Sequence, residues 1–167
     1  MWSKSIAAGG LLIAVLAFNS AICAAAAAPT RASVFCAKLQ LVLQPFVQLP
    51  LVLFSADDET TDAMHAGEAQ YRHCQFRQAD NSMIDIGLHD DSDGRFDDAA
   101  KNGYAVLNGY GDKGRYTVRG VAGQSWLDLV RGKTACEARF ALQDDGKPLS
   151  HDWKEVGGKV CTAAFSL

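Results

Sequence analysis

The stretch that decides the fold is SWLDLVRGKTACEARFALQDDGKPLSHDWKEVGGKVCTAAFSL, which runs from Ser125 to Leu167. Its first half predicts two β-strands, Ser125 to Arg131 and Thr134 to Leu142. Apolar or small residues alternate with mostly polar ones along the second strand, a pattern typical of a half-buried strand. Only Gly132-Lys133 separates the two, which favours a tight antiparallel hairpin.

The end of the same stretch predicts a terminal helix lying on the sheet. Apolar residues recur there at intervals of three and four positions and so share one helical face. They are Trp153, Val156, Val160, Ala164 and Leu167. Ser150 is placed to cap the N-terminus. Gly157-Gly158 leave a hairpin open as an alternative, because each interior glycine costs a helix about 1 kcal/mol. The apolar stripe continues through both glycines, which favours the helix.

The composition indicates one globular domain behind a leader. The chain has 167 residues, 49% hydrophobic and 21% charged, which is enough for a sizeable core. Residues Met1 to Ala27 combine Lys4, an apolar run and an alanine-rich end, which is typical of a secretory signal peptide. Its removal leaves a domain of residues 28–167 and shifts the net charge from −3 to about −4, because Lys4 is the leader's one charged residue.

Cys23 raises the alternative of a lipid anchor. Ile22 argues against it, because a small residue is expected before an acylated cysteine. Without the anchor, we expect a periplasmic or secreted protein with no stable membrane span after signal cleavage.

The remaining cysteines, Cys36, Cys74, Cys136 and Cys161, are even in number in an exported protein, so two disulfides are expected. We favour Cys36 with Cys74 and Cys136 with Cys161, because each pair would join neighbouring elements. A zinc site is disfavoured, since the sequence contains no CxxC or CxH pair, from which structural zinc sites usually draw their ligands.

The other elements complete an α+β prediction. Ser33 to Phe54 predicts a helix followed by an extended segment, because Pro45 and Pro50 divide it. Val34, Leu41 and Val42 fall on one helical side, flanked by Phe35 and Leu39. We expect this side to belong to the core, and an amphipathic groove or membrane-seeking segment is the alternative. Residues 57–61 predict a solvated acidic turn.

Further along the chain, Ala69 to Gln78 and Met83 to Leu88 predict a hairpin, and Tyr104 to Asn108 and Tyr116 to Arg119 predict short strands. The predicted fold is a single domain, an antiparallel sheet of about four to six strands with the N- and C-terminal helices packed on one face.

Two sets of residues are candidates for a site. Tyrosine with glycine is typical of adaptable recognition surfaces. The candidate binding residues are Tyr104, Tyr110, Tyr116, Trp126 and Trp153. The second set is Asp91, Asp93 and Asp97, which with Gly94 fit positions three, five, nine and six of a calcium loop. Positions one and twelve fall on His89 and Ala100, so the strongest ligand is missing, and a solvated turn is the alternative.

The sequence offers no catalytic motif. HExxH, GxSxG, GxGxxG and the phosphate-binding loop are all absent, and His73 lies beside a cysteine expected to be oxidised. A net negative charge disfavours nucleic acid as a partner. No cofactor is predicted.

The layout of the chain combines the signal, the early Phe35-Cys36 helix, the YRHCQF strand, the tryptophan-containing strand and the final helix. This layout resembles small exported bacterial lipoprotein-like domains of unknown function with paired cysteines. The resemblance implies a ligand or partner module and brings no catalytic residues.

We therefore expect a noncatalytic binding protein, of the kind formed by inhibitor or immunity proteins, whose partner is another exported or envelope protein. The alternatives are an exported hydrolase or calcium-dependent enzyme, centred on His89 and the three aspartates, and a structural protein of the cell envelope.

Overall fold

The structure, a computed structural model, describes residues 29–91, 103–117, 124–143, 149 and 151–167. Its helices and strands in chain order are α1 (Arg31–Leu43), β1 (Val52–Asp58), β2 (Arg72–Arg77), β3 (Met83–Asp90), β4 (Tyr104–Val106), β5 (Lys113–Thr117), β6 (Gln124–Arg131), β7 (Thr134–Ala141) and α2 (Trp153–Ala164). Two short 3-10 turns, Gln44–Phe46 and Ala63–His65, precede β1 and β2. The predicted leader and the segment containing Asp93 and Asp97 lie outside these residues.

The strands form one antiparallel sheet in the order β1-β2-β3-β7-β6-β5-β4. The predicted hairpins β2–β3 and β6–β7 are confirmed, and β3 pairs with β7 to join the two halves of the sheet. The described residues contain seven strands rather than the four to six expected, because β1, β4 and β5 all join the same sheet. The α+β class with two terminal helices is confirmed.

Both helices pack on the same face of the sheet around one core. The strands supply every second side chain to it, including Phe76, Ile84, Ile86, Leu127 and Phe140, all at most 1% exposed. Two disulfides fasten the helices to the strands beneath them. The pairs are Cys36–Cys74, from α1 to β2, and Cys136–Cys161, from β7 to α2, as favoured from the sequence.

The terminal element is the helix rather than the hairpin. Gly157 and Gly158 are both buried, and their missing side chains let α2 lie close to the sheet. A Cβ at Gly157 would come within 2.5 Å of Leu127 Cδ2. The predicted N-cap, Ser150, is wrong: the Asp152 carboxylate accepts the hydrogen bond from the Lys154 amide instead.

Helix α1 presents a different face to the core from the one expected. Leu41 is 77% exposed and Val34 45% exposed, whereas Phe35, Cys36 and Leu39 are buried. The prediction that the side of α1 with Val34 and Leu41 forms the core face is wrong, whereas its flanking residues Phe35 and Leu39 are in the core, on the side of the helix that carries the disulfide.

The predicted acidic turn at residues 57–61 is also partly wrong, since β1 continues through Asp58. The Asp58 carboxylate is buried and accepts hydrogen bonds from the Thr60 hydroxyl and amide and from the Ala32 amide at 3.3 Å. It thereby joins the first turn of α1 to the end of β1. The Thr60 side-chain hydrogen bond, above all, lowers the pKa of Asp58, although burial opposes it.

Candidate functional site

The sheet has a second face, here called the open face, which lies opposite the face covered by α1 and α2. Strand pairing arranges its side chains in rows across the sheet. One row is Asp57, His73, Gly87, Glu137, Asp128 and Arg115, and the next contains Gln75, Asp85, Arg139 and Trp126. The open face is therefore polar and charged where the helix face is apolar.

A cavity of about 430 Å³ opens on this face, here called the histidine cavity. Its lining consists of His65, Tyr71, His73, Gln75, Asp85, Gly87, His89, Glu137 and Arg139. Gly87 lies in the middle of β3, and its pairing register continues unbroken with both neighbouring strands. A glycine inside a regular strand weakens it and often marks a place where a ligand approaches the backbone.

His73 lines the cavity and lies between two carboxylates. Its Nδ1 is 3.9 Å from Asp57 Oδ2, and its Nε2 is 3.9 Å from Asp85 Oδ1. Both distances exceed hydrogen-bond length, so neither carboxylate is committed to the imidazole. Asp85 Oδ1 accepts a hydrogen bond of 2.9 Å from the Gln75 amide, which fixes its position.

One wall of the cavity is a stacked pair of rings. The His65 imidazole lies parallel to the Tyr71 ring at 3.8 Å between centroids, and His65 Nδ1 is 3.1 Å from Glu68 Oε1. The Tyr71 hydroxyl donates to Asp62 Oδ2 at 2.9 Å. Burial, above all, and then this hydrogen bond raise the pKa of Tyr71, so the hydroxyl remains a donor at neutral pH. The wall is thus held in place by its own hydrogen bonds.

Beyond Arg139 the open face continues into an aromatic group. The Arg139 guanidinium lies 5.5 Å from the centroid of the Trp126 ring, and Trp126 stacks with Tyr104 at 6.0 Å. Arg115 lies 4.5 Å from the Tyr104 centroid and donates to Asp128 at 2.7 Å. Cations over aromatic rings at these distances are attracted to the ring faces. We call Tyr104, Arg115, Trp126 and Arg139 the aromatic ladder.

Asp128 is buried beneath the aromatic ladder. Desolvation raises the pKa of this carboxyl, and the Arg115 hydrogen bond and charge act in the opposite direction. The pair is a buried ion pair whose two members depend on each other. It therefore fixes the arginine that contacts Tyr104.

The predicted binding residues are divided between the two faces. Tyr104 and Trp126 lie in the aromatic ladder. Tyr116 packs against Trp153 at 6.1 Å on the helix side of the sheet, and the Tyr110 ring lies against Gly158. These last three side chains are partly buried against the core. The binding role of all five stays a prediction, but they do not form one surface.

The predicted calcium residues do not make a described site. Asp91 is buried just after β3, and its amide donates to the Lys133 carbonyl at 2.8 Å, while Asp93 and Asp97 lie outside the described residues. Within the described ranges there is no group of three or more histidine, cysteine or acidic residues placed to hold a metal ion.

Sequence reasoning missed most of the histidine cavity. The signal was present in the alternation of Ile84, Ile86 and Leu88 with Asp85, Gly87 and His89, whose polar members face the cavity. The cavity offers donors and acceptors for binding. The four cysteines of the described chain are all in disulfides and are not nucleophiles.

Comparison with protein-family models, curated protein sequences and solved structures found no match to this chain. Among the described helices, none is long and apolar enough to cross a membrane.

Proposed function

We propose that the protein is a noncatalytic binding protein of an oxidising compartment and that it binds through the open face of its sheet. The observation that carries the proposal is the continuity of the histidine cavity with the aromatic ladder through Arg139. The cavity supplies a recess of polar groups, and the ladder supplies flat aromatic area beside it. Tyrosine, tryptophan and arginine are the residues that contribute most often to binding energy at protein interfaces.

The partner class follows from compartment and chemistry. The predicted signal peptide and the two disulfides both favour an exported protein, because disulfides persist in oxidising compartments. We propose another exported or envelope protein as the partner, with inhibition or immunity as the biological role. This role agrees with the resemblance to exported lipoprotein-like modules, which stays a prediction.

The test is affinity capture from the native envelope extract with three variants of the disulfide-bonded protein. Gly87→Val adds an isopropyl group to the lining of the histidine cavity, and Trp126→Ala removes the indole of the aromatic ladder. A Cβ at Gly87 would meet its nearest atom, His73 Cδ2, at 3.7 Å, which is ordinary van der Waals contact. Leu41→Ala is the control, because Leu41 is exposed on α1, on the other side of the sheet.

The proposal expects one stoichiometric protein partner that is lost with Gly87→Val and Trp126→Ala and retained with Leu41→Ala. Unchanged melting temperatures of the two open-face variants would show that the loss is not caused by unfolding. Equal capture by all three variants would contradict the open face as the binding surface. Calcium-dependent hydrolysis by the purified protein would favour the enzyme alternative instead.

A further inference from the structure

A second cavity, of about 610 Å³, lies on the helix side of the sheet, where the N-terminal half of α1 meets the C-terminal end of α2. We call it the basic cavity. Phe35, Leu88 and Ala164 are buried and supply apolar wall. Val34 and Leu167 line it as well and are 45% and 47% exposed, so apolar surface extends from the interior to solvent.

The charged side chains that line the basic cavity are all positive among the described residues. Arg31, Lys38, Arg72 and Arg131 line it, and no acidic side chain does so among the described residues. The whole chain carries a net charge of −3, so this positive cluster is opposite in sign to the net charge of the protein. A local excess of positive charge at an apolar cleft attracts anions and concentrates them there.

The four cations differ in how far they are already neutralised. Glu59 accepts from Arg31 at 2.9 Å and from Arg72 at 2.8 Å, so a single carboxylate serves two guanidinium groups. Arg131 lies 4.9 Å from the centroid of the Phe165 ring and makes no ion pair in the described part of the chain. Lys38 is exposed and likewise has no ion-pair partner there. At least one positive charge is therefore available to a ligand.

We propose that the basic cavity binds a single-chain anionic amphiphile, a long-chain carboxylate, with its tail against Phe35, Leu88 and Ala164 and its head towards Lys38 and Arg131. The volume lies within the range of small-molecule pockets, which are mostly apolar with a few polar groups that fix orientation. Apolar wall alone would accept any hydrophobic molecule, and the basic groups select an anionic head. This site is separate from the open face and does not rest on the function proposed for it.

The test is a calorimetric titration of the purified disulfide-bonded protein with dodecanoate, carried out below the micelle concentration. Dodecanol supplies the same tail without charge, dodecyltrimethylammonium supplies it with the opposite charge, and acetate supplies the charge without the tail. The proposal expects saturable one-to-one binding of dodecanoate and at least about tenfold weaker binding of the other three. Vesicles containing phosphatidylglycerol distinguish a membrane surface from a free amphiphile.

Two substitutions on the same helix provide matched variants. Val34→Glu places a carboxylate on the cavity wall, and Leu41→Glu places one on an exposed part of α1 that does not line the cavity. We expect Val34→Glu to weaken dodecanoate binding by about tenfold or more and Leu41→Glu to leave it within about twofold. Lys38→Gln should weaken binding of dodecanoate without changing the melting temperature.

The proposal is overturned by equal binding of dodecanol and dodecanoate, by binding to vesicles alone, by equal effects of the two glutamate variants, or by no binding of dodecanoate at all. Because the aromatic ladder lies on the other face, Trp126→Ala should leave dodecanoate binding unchanged. Failure here therefore leaves the proposal for the open face standing, and the converse also holds.

Discussion

Replacing Gly157 by alanine tests how closely α2 approaches the sheet. Helix propensity alone predicts that alanine in place of an interior glycine stabilises the protein by about 1 kcal/mol. The structure predicts the opposite sign. The new Cβ would lie 2.5 Å from Leu127 Cδ2, 3.0 Å from Leu127 Cγ and 3.2 Å from Phe140 Cε2, and both of these side chains are fully buried.

The helix has little freedom to move away from this clash. Cys161 lies one turn beyond Gly157 and is bonded to Cys136 of the strand below. Overpacking a closed core costs about 1–3 kcal/mol, so the gain in propensity is outweighed. We expect Gly157→Ala to lower the free energy of unfolding by up to about 2 kcal/mol, the overpacking cost less the gain in helix propensity, and the Tm by up to several degrees.

Urea denaturation with the disulfides intact measures this change. Ala163→Gly, in the same helix, measures the effect of helix propensity separately. We expect it to lower the free energy of unfolding by up to about 1 kcal/mol. In a double-mutant cycle, Leu127→Ala should cost about 1 kcal/mol less in the Gly157→Ala background than in the native one, because it relieves the overlap. A Gly157→Ala protein more stable than the native one would refute the close approach of helix and sheet.

Three further predictions concern the groups that hold the fold. Replacing both Cys36 and Cys74 by alanine should lower the free energy of unfolding by about 4 kcal/mol, the loop-closure estimate for a sequence separation of 38, as measured in urea. Asp58→Asn should lower the free energy of unfolding at pH 7. Because the pKa of Asp58 is lowered in the folded state, its carboxylate stabilises the fold above the ordinary aspartate pKa and loses this effect as the pH falls below it. The difference in free energy of unfolding between variant and native protein should therefore shrink in a denaturation series at falling pH. Arg115→Met should cost about 3–5 kcal/mol at pH 7 by leaving the Asp128 carboxylate buried without its partner. Because the pKa of Asp128 is raised, this penalty should diminish towards pH 4, and a pH-independent penalty would argue against a buried charge.

The alternation of apolar and polar residues, together with the residues typical of turns, was sufficient to predict most strands. The two-residue link at Gly132-Lys133 fixes the register of β6 with β7, because it leaves no room for another pairing. The face that α1 turns towards the core was not predictable in the same way. Its sequence, RASVFCAKLQLVL, is apolar on several sides, so periodicity does not choose between Leu41 and Leu39, and the choice depends on where Cys36 finds its partner.

The candidate site was less predictable because it depends on pairing across the sheet. Tyr104 pairs with Thr117, and Ala105 pairs with Tyr116. This register places the two tyrosines on opposite faces, although both were candidates for the same binding surface. The histidine cavity likewise gathers His65, His73 and His89 from a turn and two strands. No local motif marks them, since their proximity is created by the fold.

The arrangement of the two disulfides has a mechanical consequence. Each bridge closes a loop within its own half of the sheet, and neither joins one half to the other. Under a pulling force applied at residues 29 and 167, the segments from Cys36 to Cys74 and from Cys136 to Cys161 carry no load while oxidised. When the sheet ruptures, the released length of chain comes mainly from residues 75–135, which contain Gly87 and most of the aromatic ladder. Reduction would add both loops to the extensible length, so a single-molecule stretching trace would report the redox state of the chain directly.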